Sequence, residues 1–154
     1  MDMQLKHIRI DADRGYPELP NNRAYSAVLI THEETSDFWR RGLAEKMASG
    51  SCVQVNIWGE NASEWTEAID TANAFAIVSE ERSEEYPDII VSSQSSRIIE
   101  DVFEFSVAHL HCSEAENVDL FLVIEIGEPM VGYNLYGMAN RAARAYGLSP
   151  VMAC

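Results

Sequence analysis

The sequence has few basic residues, few cysteines and no long hydrophobic run. Lysine and arginine number 11 against 25 aspartates and glutamates, so the formal net charge is −14. A protein that binds duplex DNA needs basic side chains against the phosphates, so nucleic acid is excluded as an expected partner. The longest apolar stretch, residues 120–126, is far shorter than the roughly 20 residues of a membrane-spanning helix. We therefore expect neither a nucleic-acid-binding nor a membrane protein.

The three cysteines, Cys52, Cys112 and Cys154, are far apart and form no C-x-x-C pair. An odd number at such spacing argues against both a disulfide framework and a structural zinc site. The N-terminal segment "MDMQLKHIRID" has no continuous apolar core and no small-residue cleavage signature, so it is not typical of a secretory signal. These absences predict a cytoplasmic protein without a bound metal, and no motif indicates a cofactor.

Strand-like and helix-like patterns alternate four times in the larger part of the chain. The strand-like runs are "AYSAVLIT", "CVQVNIW", "DIIVSS" and "VDLFLVIEIG", and each is followed by a segment with helical spacing. Such alternation predicts a three-layer α/β sandwich with a four-stranded, mostly parallel sheet, helices on both faces and right-handed crossovers. For these four strands, numbered along the chain, we expect the spatial order 2-1-3-4.

The beginning of the chain differs from this regular pattern. "LKHIRI" alternates only in part, so we expect an edge strand or an arm that packs on a neighbouring subunit of a homo-oligomer. Residues 14–23, "RGYPELPNNR", carry prolines, a glycine and paired asparagines, which are typical of a surface loop. We therefore divide the chain into an N-terminal arm and loop, residues 1–22, and a single α/β domain, residues 23–154.

This order of elements resembles the flavodoxin-like and Rossmann-like group of α/β proteins. The resemblance implies the fold and carries over no functional residue. A flavodoxin would have a hydroxyl- and glycine-rich phosphate loop after the first of these strands, whereas this chain has "THEETSD". The acids in that segment would repel a phosphate, so we do not expect a bound flavin.

Ligands of open parallel sheets bind beyond the carboxyl ends of the strands, near the point where the strand order reverses. This rule selects residues 32–34, 58–61, 92–97 and 125–128. From them we predict a ligand-binding set of aromatic, hydroxyl and charged side chains: Trp58, Ser95, Ser96, Arg97 and Glu128. Carboxylates at these positions suit a hard cation, but no D-x-D spacing supports one, and we predict no metal site.

The stretch "IIVSSQSSR", residues 89–97, has two explanations. A helix N-terminus with free N–H groups, hydroxyl side chains and an arginine can bind a small anionic ligand such as a phosphate. However, the turn has no glycine and matches neither a Walker motif nor a dinucleotide fingerprint. Capping of the following helix by Ser95 or Ser96 explains the pattern without a ligand and is the favoured explanation.

His32 is the best catalytic candidate, because it ends a predicted strand and stands beside Glu33. It could act as the general base for a serine of the third cluster, Ser93 or Ser95, if the fold brings them together. No G-x-S-x-G elbow is present. A hydrolase-like enzyme that binds a small ligand or phosphate ester at the carboxyl ends of the strands is therefore the alternative function.

Acidic residues are concentrated in the middle of the chain. Residues 60–104 contain twelve acids and two bases. An acidic surface can steer a basic partner into a complex, and otherwise it simply keeps a protein soluble. We predict a non-enzymatic acidic binding protein, for example an inhibitor or immunity protein, that docks a basic protein. The expected contact residues are Glu80, Glu81, Glu84 and Glu85.

Overall fold

The computed structural model describes residues 2–94, 98–112, 118–128, 134–147 and 149–152. Within these ranges the chain forms six strands and four helices. In chain order they are β1 (Asp2–Ile10), β2 (Tyr25–Thr31), α1 (Asp37–Ser49), β3 (Cys52–Gly59), α2 (Ala62–Val78), β4 (Ile90–Ser93), α3 (Ile99–Cys112), β5 (Leu120–Ile126), α4 (Leu135–Ala145) and β6 (Ser149–Met152).

The strands form one sheet in the order β4-β3-β2-β5-β1-β6, and every neighbouring pair is parallel. One layer of buried apolar side chains joins the sheet to α1 and α2, and includes Trp39, Leu43, Trp65 and Ile69. The layer on the opposite face joins it to α3 and α4, and includes Val102, Phe103, Leu135 and Met138. The predicted three-layer α/β sandwich with a parallel sheet is therefore confirmed.

The predicted order of the four strands is wrong. They correspond to β2, β3, β4 and β5, and their order in the sheet is β4-β3-β2-β5. Every residue of β2 and β5 is buried, as the interior of a sheet covered on both faces requires. β4 is short and has partly exposed side chains, so it lies at the edge, and the chain returns over the sheet through α3 to place β5 beside β2.

β1 is an interior strand, which corrects the prediction of an edge strand or an arm. It pairs with β5 on one side and β6 on the other, so the sheet has six strands rather than four. Its first half packs Met3 and Leu5 on the face of α3 and α4, and its second half packs Ile8 and Ile10 on the other face. The change of face made the apolar pattern look irregular in the sequence.

The loop after β1 packs against the start of α1. Asp13 accepts hydrogen bonds from the amide and hydroxyl of Ser36, at 2.9 and 2.6 Å, and these bonds lower the pKa of Asp13. Tyr16 stacks on Trp39 with ring centroids 5.7 Å apart. Gly42 makes room for this ring, because a Cβ there would lie 1.8 Å from the Tyr16 hydroxyl oxygen. Ser36 in turn caps α1, because its hydroxyl oxygen accepts from the amide of Trp39 at 3.3 Å.

Arg82 fixes the connector between α2 and β4. Its side chain is buried, and its guanidinium donates to the carbonyl oxygens of Ala48, Cys52 and Pro87 at 3.0, 2.6 and 2.6 Å. Burial lowers the pKa of Arg82, but a guanidinium stays protonated at any ordinary pH. The connector is therefore held to the end of α1 and the start of β3 through backbone groups.

Candidate functional site

The helices that follow β2 and β5 lie on opposite faces of the sheet. These strands are neighbours, yet the chain leaves β2 into α1 on one face and leaves β5 into α4 on the other. Ligand sites of open parallel sheets lie at such a switch point. Here the amide of His32 donates to the carbonyl of Ile126 at 2.9 Å, so the two strand ends meet. Two of the predicted clusters, residues 32–34 and 125–128, are thus brought together.

Glu125 is a buried carboxylate at this point and binds two histidines. One carboxylate oxygen lies 3.0 Å from Nε2 of His7, on β1, and the other lies 2.7 Å from Nε2 of His32. Residue Glu125 is 3% exposed, and burying a carboxylate is costly unless hydrogen bonds satisfy it. The two imidazoles supply those bonds from the strands on either side of β5.

The hydrogen bond to Glu125 sets the roles of the two ring nitrogens of His32. A carboxylate only accepts, so Nε2 carries the proton that faces it, and in the neutral ring Nδ1 is then an acceptor. The His32 side chain is 5% exposed, and its Nδ1 has no hydrogen-bond partner among the described residues. In the neutral form of His32, Nδ1 is therefore an oriented acceptor without a partner among the described residues.

Arg9 lies beside Glu125 in the sheet, because the two residues are paired in register. Its guanidinium donates from Nε to the carbonyl of Gly127 at 3.1 Å and lies 3.2 Å from the carboxylate of Glu128. The predicted ligand residue Glu128 is thus an exposed partner of an arginine of this chain. Glu128 therefore competes with an external anion for Arg9.

The side chain of Glu33, which follows β2 in the chain, lies in the turn after β5. Its carboxylate accepts from the amide of Glu128 at 3.2 Å. Gly127 is required below it, because its φ is +98° and a Cβ would lie 2.6 Å from Cγ of Glu33. A backbone N–H that could bind a phosphate is therefore taken by a carboxylate, which disfavours an anionic ligand at this turn.

Trp58 lies on the same face of the sheet as Glu125, where it packs against the layer under α3 and α4. Ser93 does not join them. It belongs to the edge strand β4, two strands away from β2, and the alternation of side chains turns it to the face that Val91 packs against. The predicted pairing of His32 with Ser93 is therefore wrong. Ser95, Ser96 and Arg97 lie outside the described residues.

A second polar pair lies on the face of His32, toward the edge of the sheet. The hydroxyl of Ser92 hydrogen-bonds to the amide oxygen of Asn56, which is almost completely buried. The amide nitrogen of Asn56 has no partner among the described residues. β2 separates this pair from Glu125, so the two polar groups do not form one network.

The predicted partner-binding acids lie on the connector that Arg82 holds. Glu80, Glu81, Glu84 and Glu85 are all exposed. Arg82 donates to carbonyl oxygens rather than to carboxylates. In the described part of the chain, no ion pair joins any of these four acids to a basic side chain. The connector therefore presents an ordered acidic surface at the carboxyl-terminal end of α1.

A groove of about 510 Å³ runs between α1 and α2 on the outside of the molecule. Carboxylates line it from both helices: Asp37, Glu45, Glu64 and Glu67. Its apolar part includes Ala68, Ala72 and Phe75, and Phe75 is 64% exposed. Arg41 is the basic residue of the lining, and its Nε lies 3.1 Å from Asp37. We call this feature the acidic groove.

Sequence reasoning missed His7 and the acidic groove. A signal for the first existed, since Glu125 interrupts the otherwise apolar "LFLVIEI" and a buried acid needs a partner. The acids of the two helices gave a signal for the groove. Glu64 and Glu67 are three residues apart on α2, and Asp37 and Glu45 are eight residues apart on α1. The packing of the helices against each other, which makes one surface of these acids, is not visible in the sequence.

Among the described residues, no group of three His, Cys, Asp or Glu side chains is arranged to hold a metal ion. The same part of the chain contains no helix with both the length and the apolar character needed to cross a membrane. A family model described as a domain of unknown function, DUF7684, matches residues 5–134. The chain belongs to the DUF7684 family. No curated protein and no solved structure matches it.

The DUF7684 match runs from β1 through the residue that precedes α4. It therefore includes the three residues of the histidine–glutamate cluster, both helices of the acidic groove and the acidic connector. The family description states no activity for DUF7684 proteins.

Proposed function

We propose that this DUF7684 protein is a non-enzymatic binding protein whose acidic groove docks a basic segment of a protein partner. The observation that carries the proposal is the composition of the groove. Four carboxylates border it, its single arginine is already paired with one of them, and its apolar part is exposed. Such a surface complements a segment that carries lysine or arginine beside apolar side chains.

The charges act mainly on association. An exposed ion pair contributes about 1 kcal/mol or less, so these carboxylates alone do not give a tight complex. Their summed field raises the rate of encounter with a basic partner, and salt screens this effect. Burial of Phe75 and the neighbouring alanines on docking supplies the apolar contribution.

The connector extends the acidic surface beyond the end of the groove. Arg82 binds the carbonyl of Ala48, in the last turn of α1, and thereby keeps Glu80, Glu81, Glu84 and Glu85 near that end of the helix pair. A partner in the groove would meet these acids as well. An inhibitor or immunity protein for a basic nuclease or toxin is one concrete form of this function.

We further propose that the protein acts in the cytoplasm. The support comes from Cys52, which is a free, buried thiol, whereas secreted domains commonly pair their cysteines in disulfides. The alternative function, an enzyme for phosphate esters, has less support. Ser93 is on the opposite face of the sheet from His32, and Glu33 takes the amide that a phosphate would use.

The test is a charge reversal in the groove with a matched control. Tagged wild-type protein, the Glu64→Lys/Glu67→Lys variant and an Asp70→Lys/Glu104→Lys variant are incubated with cell lysate at low salt and eluted by a salt gradient. Asp70 and Glu104 are exposed acids outside the groove. We expect the wild type and the control to retain the same basic protein, and the groove variant to lose it.

Binding of the recovered partner is then measured with the purified proteins. A groove variant that binds as well as the control contradicts the proposal. Equal weakening in both variants also contradicts it, since that result indicates attraction by net charge alone.

A further inference from the structure

We infer that the switch point between β2 and β5 is a second binding site, separate from the acidic groove, for a small cationic ligand that donates an N–H to Nδ1 of His32. The ligand class is a protonated amine or an amidinium. Three observations carry the inference: the fixed orientation of His32, its unpartnered Nδ1, and the sign of the charge around it.

The orientation is fixed by Glu125. Its oxygen, 2.7 Å from Nε2 of His32, holds the Nε2 proton, and its other oxygen is taken by His7 at 3.0 Å. The two nitrogens of an imidazole point in diverging directions, so Nδ1 faces away from Glu125.

Nδ1 of His32 is one of five buried side-chain polar atoms without a hydrogen-bond partner among the described residues, and it is the one at the switch point. Buried polar side-chain atoms nearly always have a hydrogen-bond partner, and an exception calls for an explanation. Nδ1 of His32 belongs to a side chain that is 5% exposed and has no partner among the described residues. A donor supplied by a ligand at the switch point accounts for both facts.

The charge around the strand ends selects a cation. Among the described residues within four positions after the ends of β1, β2, β3 and β5, six are acids and one is an arginine, Arg14. The acids are Asp11, Asp13, Glu33, Glu34, Glu60 and Glu128. Arg9, at the end of β1, is already paired with Glu128 at 3.2 Å. An anion would be repelled here, whereas a cationic N–H donor is attracted and satisfies the acceptor on His32.

The test uses protein labelled with ¹⁵N at histidine and two probes with the same carbon chain, n-butylammonium and n-butyrate. Long-range ¹H–¹⁵N correlation spectra are recorded at about pH 8, where an ordinary histidine is neutral. We expect His32 to carry its proton on Nε2. We also expect its Nδ1 resonance to shift saturably with n-butylammonium at constant ionic strength, and not with n-butyrate.

Two variants separate this site from the groove. Glu125→Gln removes the group that orients His32 and is expected to weaken n-butylammonium binding at least tenfold. Glu64→Lys/Glu67→Lys alters only the groove and is expected to leave the titration unchanged. The failure of either proposal therefore leaves the other intact.

Three results in the wild type overturn the inference, and none depends on a variant that must fold. The first is a proton on Nδ1 of His32. The second is an Nδ1 resonance that does not respond to n-butylammonium, which indicates that a water molecule satisfies the atom. The third is an equal response to n-butyrate.

Discussion

The carboxylate of Glu33 accepts a hydrogen bond from the amide of Glu128 at 3.2 Å and so fills the turn after β5 with a negative charge. Phosphate-binding sheets leave such an amide free for the ligand. Here the chain supplies its own anion, and more acids surround it. The strand ends and the acidic groove, although on different parts of the surface, therefore both favour positive ligands.

Inorganic phosphate is the first probe of this arrangement. Wild-type protein is expected to gain no thermal stability from phosphate over chloride at the same ionic strength, because Glu33 excludes the anion. The Glu33→Ala variant frees the amide of Glu128 and is expected to show a phosphate-dependent rise in Tm. Stabilisation of the wild type that disappears in Ser95→Ala/Arg97→Ala would instead revive the phosphate-ester function.

The pairing of His32 with Glu125 is expected to appear as a coupling energy. His32→Leu leaves the buried carboxylate with only His7, and Glu125→Leu leaves both imidazoles without their acceptor, so each change lowers the free energy of unfolding. The double variant removes the pair, and the coupling is expected to be about 0.5–3 kcal/mol. Urea unfolding of the four proteins measures it. Strictly additive effects would mean that the contact contributes nothing.

Alkaline pH is expected to destabilise the protein through Cys52. Burial raises the pKa of this thiol from 9.0 to about 12, so the unfolded chain loses the proton first. The contribution is complete below about pH 9 and is lost as the pH rises toward about 12. Urea unfolding across that range should show a falling free energy of unfolding. Cys52→Ala should give a shallower slope, and an unchanged slope would argue against this assignment.

We expect that no other residue can replace Arg82 without a loss of stability. Arg82→Lys keeps the charge but cannot reach the carbonyls of Ala48, Cys52 and Pro87 together, so buried acceptors lose their donors. We expect a loss of about 1–3 kcal/mol of unfolding free energy, with faster hydrogen exchange in the connector. Arg141→Lys, at an exposed position on α4, is the control and should change neither measurement.

The connector acids are expected to govern the rate of partner binding. Reversal of all four charges, at Glu80, Glu81, Glu84 and Glu85, should slow association and flatten its dependence on salt, with a smaller effect on dissociation. Stopped-flow kinetics with the captured partner measures both rates. The control reverses four exposed acids elsewhere: Glu18, Glu34, Glu100 and Glu104. If the two variants associate equally fast, the connector is not part of the interface.

The fold class was predictable because it depends on local patterns. Strand and helix periods alternate clearly from Tyr25 onward, and only a layered α/β fold buries such elements. The order of the strands was not predictable in the same way. It depends on which strand is buried on both faces, and the similar apolar patterns of "DIIVSS" and "CVQVNIW" do not reveal that β4 is exposed at an edge.

Single residues of the site could be predicted from the sequence, but the contacts between them could not. His32, Glu125 and Glu128 were selected by their place at strand ends, which is a local property. The partner His7 was not, because its contact with Glu125 requires that β1 lie beside β5, at the far end of the chain. Ser93 was misplaced for the related reason that two residues at strand ends can face opposite sides of one sheet.

The Glu125 cluster has a consequence for how this protein folds. Its two hydrogen bonds join residues that are 118 and 93 positions apart in the chain. The bond to His7 forms only when β1 lies beside β5, and the bond to His32 only when β2 lies beside β5, so the complete cluster belongs to the late, non-local part of folding. A molecule that binds at His32 would therefore slow the opening of three strands at once and hold the centre of the sheet together as a cooperative unit.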